Sequence, residues 1–240
     1  MMYHEALDDA GRLLTLALRG ERAAHENAEL IALYRQMGDD RLKEVAEQNQ
    51  VTALVANALV DTLGQDDVPS FWSETLTQNQ SRVDSLVEAL GAISARVQAA
   101  GGTMAAIEGG GIMLGSNLPT RSFCPSDIDL LVSPQDWNKA KDAFEAEGFR
   151  SKDRDGRAVT QRLEYCRDNL WLGVGTVPFE RKWVPLIFSD RSKNWLERTT
   201  PSRKDQRIPV LEPTDALAFV AMHTSLHSFI RAPGVRLHVD

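Results

Sequence analysis

The stretch Ser126-Asp127-Ile128-Asp129-Leu130-Leu131-Val132 decides how this chain is read. Its apolar run predicts a short strand over residues 128–132. Side chains two apart on an extended strand share a face, so Asp127 and Asp129 project together while Ile128 and Leu130 point the other way. Two carboxylates aimed at one point repel unless a cation or a hydrogen-bond donor stands between them. A hard, oxygen-seeking ion such as Mg²⁺ is the natural occupant. Phosphoryl and nucleotidyl transfer use such ions to neutralise a triphosphate and to activate the attacking oxygen. An isolated Asp-x-Asp is more often a solvated pair at a strand edge, so the neighbouring sequence has to carry the rest of the case.

Upstream, Met104-Ala-Ala-Ile107 predicts a buried strand, Glu108-Gly109-Gly110-Gly111 a glycine turn, and Ile112-Met-Leu114 the body of a helix. Backbone amides at such a helix start can receive phosphate oxygens, and glycine lets them come close. Gly109 and Gly110 are the candidates for that contact. Gly115-Ser116 offers a second register, nearer the acidic strand. Arg121, in the loop entering that strand, is the candidate cation for a triphosphate. Turns use glycine for structural reasons too, and only the order of strand, glycine turn and paired aspartates makes a joint signal.

Downstream, Ser133-Pro134 opens an amphipathic helix through Trp137 and Phe144 to Gly148. Strands are expected near residues 158–165 and 170–177 around an Arg-Asp-Asn turn, then a polar stretch over 191–207. A last helix starts after Pro213 and breaks at Pro233-Gly234, with another helix expected to begin near Asp240. The first hundred residues read as helical, with segments around 5–18, 22–36 and 40–63. A longer helix from Ser70 carries Val83, Leu86, Val87, Leu90, Ile93 and Val97 on one stripe to Gly101-Gly102. The fold class is therefore α+β. The expected division is a helical bundle or cap over 1–100, a small mixed sheet with helices over 101–210, and the start of a C-terminal helical region over 211–240.

Composition sets outer bounds. The 240 residues are 42% hydrophobic and 25% charged, an ordinary balance for a globular chain. A formal charge of −7 argues against an extended nucleic-acid footprint and leaves small phosphorylated substrates open. The two cysteines, Cys124 and Cys166, lie in no metal-binding pattern. No signal peptide and no membrane-length apolar run is evident, so a cytoplasmic location is expected.

In these motifs the chain resembles the uncharacterised bacterial nucleotidyltransferases of the polymerase-beta-like superfamily. Their signature reads Lys-Gly, a helix, then Asp-Ile-Asp-Leu-Leu-Val. The resemblance runs through Glu47–Val55, Ala105–Met113, the acidic strand and Leu211–Leu217, and into His223, His227 and the run Arg236-Leu-His-Val-Asp240. It implies a polymerase-beta-like core and transfer of a nucleoside monophosphate from an NTP, with Mg²⁺, to an acceptor that is a small molecule, a peptide or a protein. Asp127 and Asp129 would be both catalytic and metal-binding residues, and Gly109 the phosphate-side glycine. Two departures stand out. Glu108 occupies the place of the family's Lys. Leu170-Trp-Leu-Gly-Val-Gly-Thr-Val177 carries glycines where a third carboxylate is expected, leaving Glu164, Asp168 and Glu180 as substitutes. The alternative reading is a catalytically degenerate nucleotide-binding or protein-interaction module of the same fold, such as a toxin–antitoxin or peptide-pathway partner. His223 and His227, four apart on one helix, suit structural packing better than a zinc site because no third ligand follows.

Overall fold

A computed structural model describes residues 8–152, 162–176 and 192–228. These fall into two compact units, one formed by residues 8–83 with Leu118–Cys124 and the other by residues 84–117 with 125–228. The division lies within a helix, at residue 83, rather than at the glycines that end it.

The first unit is helical: α1 (Asp9–Ala17), α2 (Ala24–Met37), α3 (Asp39–Gln48), α4 (Thr52–Leu63) and the first half of α5 (Ser70–Ala99). Asp8 caps α1 by accepting the Gly11 N–H at 2.7 Å, and Glu26 reaches back to the Ala23 N–H at 2.8 Å to start α2. The segment expected over 40–63 is two helices. Gln50 takes a left-handed φ of 57°, and the Val51 N–H returns to the Ala46 carbonyl, which ends α3 before α4 begins. Leu13, Leu30, Leu42, Val55, Leu59 and Trp72 lie at the centre of the core. Asp39 Oδ1 accepts from both the Tyr34 hydroxyl at 2.7 Å and the Trp72 indole at 3.0 Å, joining α2 and α5 to the start of α3. Burial, with Asp39 alongside, holds the Tyr34 hydroxyl well above its ordinary pKa.

The second unit is built on a seven-stranded mixed sheet: β1 (Met104–Ile107), β2 (Ile128–Val132), β3 (Arg150–Ser151), β4 (Arg162–Arg167), β5 (Leu170–Gly175), β6 (Thr199–Pro201) and β7 (Pro209–Leu211). The order is β3-β4-β5-β2-β1-β7-β6. β2 runs antiparallel to β1 and parallel to β5, while β7 lies parallel to β1. The strands expected at 104–107 and 128–132 are present. The polar stretch 191–207 holds α8 (Ser192–Glu197) and β6, and the parallel neighbour β7 follows it. Strands of two or three residues are too short for alternation to announce them.

Helices cover both faces of this sheet. On one face, Ile128, Leu172 and Tyr165 stand in register. The Phe144 ring of α7 (Trp137–Ala146) meets Tyr165 at 4.8 Å. The same face takes α6 (Glu108–Gly115), because a Cβ at Gly110 would sit 2.7 Å from Ile128 Cγ2. On the other face Ala105, Ile107, Leu131 and Leu211 pack with Trp195 of α8 and Phe219 of α9 (Pro213–Ser228), whose rings are 5.0 Å apart. The class is thus α+β with a mixed sheet, as expected. Among the described residues no helix is long and apolar enough to cross a membrane.

Candidate active site

Asp127 directly precedes β2 and Asp129 is its second residue. Asp129 pairs with Ile107 of β1 on one side and Gly173 of β5 on the other. Ile107 belongs to the Trp195–Phe219 cluster, so Asp129 stands on that face and Ile128 on the opposite one. The alternation read from the sequence therefore holds for Ile128 and Asp129, and Asp127 lies just outside the strand. Asp127 and Asp129 are half-buried, at the end of a strand in the middle of the sheet. The Ser126 hydroxyl donates to Asp127 Oδ1 at 2.9 Å.

The expected glycine turn over Glu108–Gly111 is not a separate segment, because all four residues belong to α6. Gly109, Gly110 and Gly111 all lie inside α6, and the chain reverses at Glu108, whose φ of 54° is left-handed. A glutamate held there is strained backbone, the kind that clusters at functional sites. Because Ile107 pairs with Asp129, this strand-to-helix turn sits beside the acidic strand.

The three glycines then differ. Gly110 presses on Ile128, and a Cβ at Gly111 would come within 2.9 Å of the Ala106 carbonyl oxygen, so both are needed for α6 to lie close on the sheet. Gly110 faces away from the aspartates and serves packing. Gly109, at the first turn, is half-buried and adjoins the turn. Ser116 caps the other end of α6, its N–H bonded to the Ile112 carbonyl and its hydroxyl to Met113. Seven residues of helical rise put it roughly 10 Å from Gly109. The adjacent Leu114 carbonyl accepts from the Ser202 hydroxyl and the Arg203 N–H. That end presents carbonyls rather than amides, which leaves Gly109 the better-placed phosphate contact.

Arg121 belongs to the helical unit. Its guanidinium donates to Asn57 Oδ1 at 2.8 Å and to Asp61 at 2.9 Å, and its carbonyl accepts from Asn79. Those bonds account for its position without a substrate. His223 and His227 lie on α9 with side chains outside the described set, and Glu180 lies outside the described residues.

The hairpin formed by β4 and β5 turns on Asp168-Asn169, with Asp168 at φ 52°. Its pairing sets Glu164 opposite Gly173, and Lys152 follows beside Glu164 by donating its N–H to the Glu164 carbonyl. Lys152 Nζ lies 3.8 Å from the Trp171 ring centre, a cation–π contact on the aspartates' face of the sheet. Asp168, in the turn, stands away from the paired row. The two-residue turn makes this register countable from the sequence: pairing Arg167 with Leu170 puts Glu164 opposite Gly173.

Among the described residues no three His, Cys, Asp or Glu side chains are gathered as a ready metal cage. A Mg²⁺ ion does not require one. It is commonly held by one or two carboxylates, with water and substrate phosphates completing six oxygens. The chemistry of Asp127 and Asp129 fits that donor set.

An aspartate on a central strand with a second just before it, next to a strained strand-to-helix turn, is an arrangement suited to handling phosphates. The chain belongs to a family described as uncharacterised nucleotidyltransferases, whose model matches residues 35–240. No curated protein and no solved structure matches it.

Proposed function

We propose that this nucleotidyltransferase carries its reaction at the end of β2, on a polymerase-beta-like core, with Asp127 and Asp129 holding Mg²⁺. The reaction joins the α-phosphorus of an NTP to an acceptor oxygen, breaks the bond to the β,γ-phosphates, and releases pyrophosphate and the acceptor's proton. The carrying observation is Asp129 on a central strand, with Asp127 just ahead of it, beside the turn at Glu108. When bound, the ion supplies positive charge to the triphosphate. The protein supplies placement: the aspartates fix the charge, and the amides around Gly109 receive phosphate oxygens at the start of α6. Glu108 adds negative charge where the triphosphate arrives, which makes binding depend strongly on the cation.

The test is calorimetric titration with a non-hydrolysable NTP, with and without Mg²⁺. Wild-type protein should bind only with the ion, and Asp127→Asn combined with Asp129→Asn should abolish that binding while leaving the circular dichroism spectrum and the melting temperature unchanged. Equal affinity in the double variant sinks the site. A second reading, a nucleotide-binding module without turnover, is favoured by one observation: glycine faces Asp129 on β5. Mg²⁺-dependent NTP binding with no pyrophosphate released over a panel of small-molecule, peptide and protein acceptors would select it.

A further inference from the structure

We infer that the Trp171 indole is the stacking surface for the base of the incoming nucleotide, and that the ammonium of Lys152 holds that place until the base arrives. This rests on the reading of Asp127 and Asp129 as the cation site and names the part of the substrate that the neighbouring strand receives.

The phosphates fix the direction in which the nucleotide extends. With the β,γ-phosphates at the start of α6, which follows β1, and the α-phosphate at the cation beside Asp129 on β2, a nucleoside lying along the sheet continues over β5, the next strand in the order β1-β2-β5. From β1 to β5 is two strand spacings, about 9.5 Å. Gly173, opposite Asp129, contributes no side chain on the way. Trp171 is two residues from Gly173 on β5, and positions two apart share a face. The indole therefore stands on the Asp129 side of the sheet, about 8 Å from Asp129 at Cα.

Trp171 is also the aromatic side chain that a solute can reach here. The other aromatic residue in the described strands, Tyr165, is buried against Phe144 on the opposite face. Trp195 and Phe219, on the Asp129 face, are buried against each other. Trp171 is half-buried, and its ring meets the ammonium of the exposed Lys152, 3.8 Å from the ring centre. Glu164, the exposed neighbour of Lys152 across the β3–β4 pairing, offers a carboxylate, yet among the described residues Lys152 forms no ion pair. A ring face that an exposed lysine covers is a face open to solvent. A planar base covers more of it than one ammonium does, and stacking of a base on an aromatic ring outweighs an exposed cation–π contact. The exchange moves one flexible side chain and no backbone. Stacking accepts every base, so the ring supplies affinity and orientation rather than choice among nucleotides.

The experiment compares two ligands in the presence of Mg²⁺ by titration calorimetry: a non-hydrolysable NTP, and inorganic tripolyphosphate, which carries the phosphates without the base. Trp171→Leu should weaken the NTP by roughly tenfold and leave tripolyphosphate unchanged. Trp171→Phe, which keeps an aromatic face, should hold most of the NTP affinity. Lys152→Gln frees the ring and should leave NTP affinity unchanged or higher. A melting curve checks the fold of each variant. Should Trp171→Leu not fold, nuclear magnetic resonance of isotope-labelled wild-type protein decides: the indole N–H signal that is missing from Trp171→Phe should move with NTP and stay in place with tripolyphosphate. Wild-type NTP affinity in Trp171→Leu, an equal loss of both ligands in that variant, or an indole signal that ignores NTP overturns the inference. Weaker NTP binding in Lys152→Gln overturns it as well, because the ammonium rather than the ring would then hold the nucleotide. Asp127→Asn with Asp129→Asn should lose both ligands. If that variant keeps both while Trp171→Leu loses only the NTP, the cation site falls and the stacking surface stands.

Discussion

Asp136 joins the start of β1 to the start of α7 through one carboxylate. Its Oδ2 accepts the Thr103 N–H at 3.0 Å, and its Oδ1 accepts from Lys139 Nζ at 2.7 Å. Lys139 in turn donates to the Gly101 carbonyl at 2.9 Å, so the residues that end α5 and begin β1 are held together. The hydrogen bond from Lys139, with that from Thr103, keeps the Asp136 carboxyl below its ordinary pKa of 3.8. A carboxyl whose pKa is lower in the folded state stabilises the protein fully above its ordinary value, and that contribution is lost as pH falls through the folded value. Asp136→Asn keeps an acceptor for Thr103 and removes the ion pair. With solvent screening at the half-exposed lysine, the expected loss at pH 7 is about 1 kcal/mol. Urea unfolding should show that gap at pH 7 and a narrowing gap below about pH 4. A gap independent of pH would mean that the charge is not what Asp136 contributes.

At the scale of elements, α6 shows what the sequence disclosed and what it withheld. The order strand, glycines, helix, acidic strand was legible because Met104–Ile107 and Ile128–Val132 are apolar runs bounded by polar residues. What each glycine does was not legible, because identical residues at 109, 110 and 111 face different surroundings only once α6 lies on the sheet. The same limit hid β7, whose three residues are defined by parallel pairing with β1 rather than by any local pattern. It also hid the place of Arg121, since its partners Asn57 and Asp61 are some sixty residues earlier in the chain. The opposite faces of Ile128 and Asp129 were legible because strand alternation alone separates them. Substitution along α6 should separate the glycine roles. Gly110→Ala drives a Cβ into Ile128, and Gly111→Ala drives one into the Ala106 carbonyl. Each should cost roughly 1–3 kcal/mol in chemical denaturation, as overpacking does. Gly109→Val should instead leave stability nearly unchanged and weaken Mg²⁺-dependent NTP binding. A stable Gly111→Ala, or a Gly109→Val that binds NTP normally, would contradict this assignment.

At the scale of the molecule, the two compact units have separate cores, one around Leu42 and Leu59 and the other around Ala105, Leu131 and Phe219. The proposed ligands of the nucleotide and its cation, Asp127, Asp129 and Gly109, all belong to the second. Binding to the folded state alone raises stability by mass action, about 2.7 kcal/mol when free ligand is a hundred times its dissociation constant. For a chain of this length that corresponds to a shift of roughly 5–10 °C in melting temperature. Scanning calorimetry with Mg²⁺ and a non-hydrolysable NTP should show such a shift in wild-type protein, and none with NTP alone because the −7 chain and Glu108 oppose a bare triphosphate. If the units melt in separate transitions, only the one lost on sheet unfolding should move, and Leu42→Ala, which weakens the helical core, should identify the other by lowering it. The double aspartate variant should melt at the same temperature with and without the ligands. A ligand-dependent shift that persists in that variant, or that follows the transition lowered by Leu42→Ala, would place nucleotide binding away from β2.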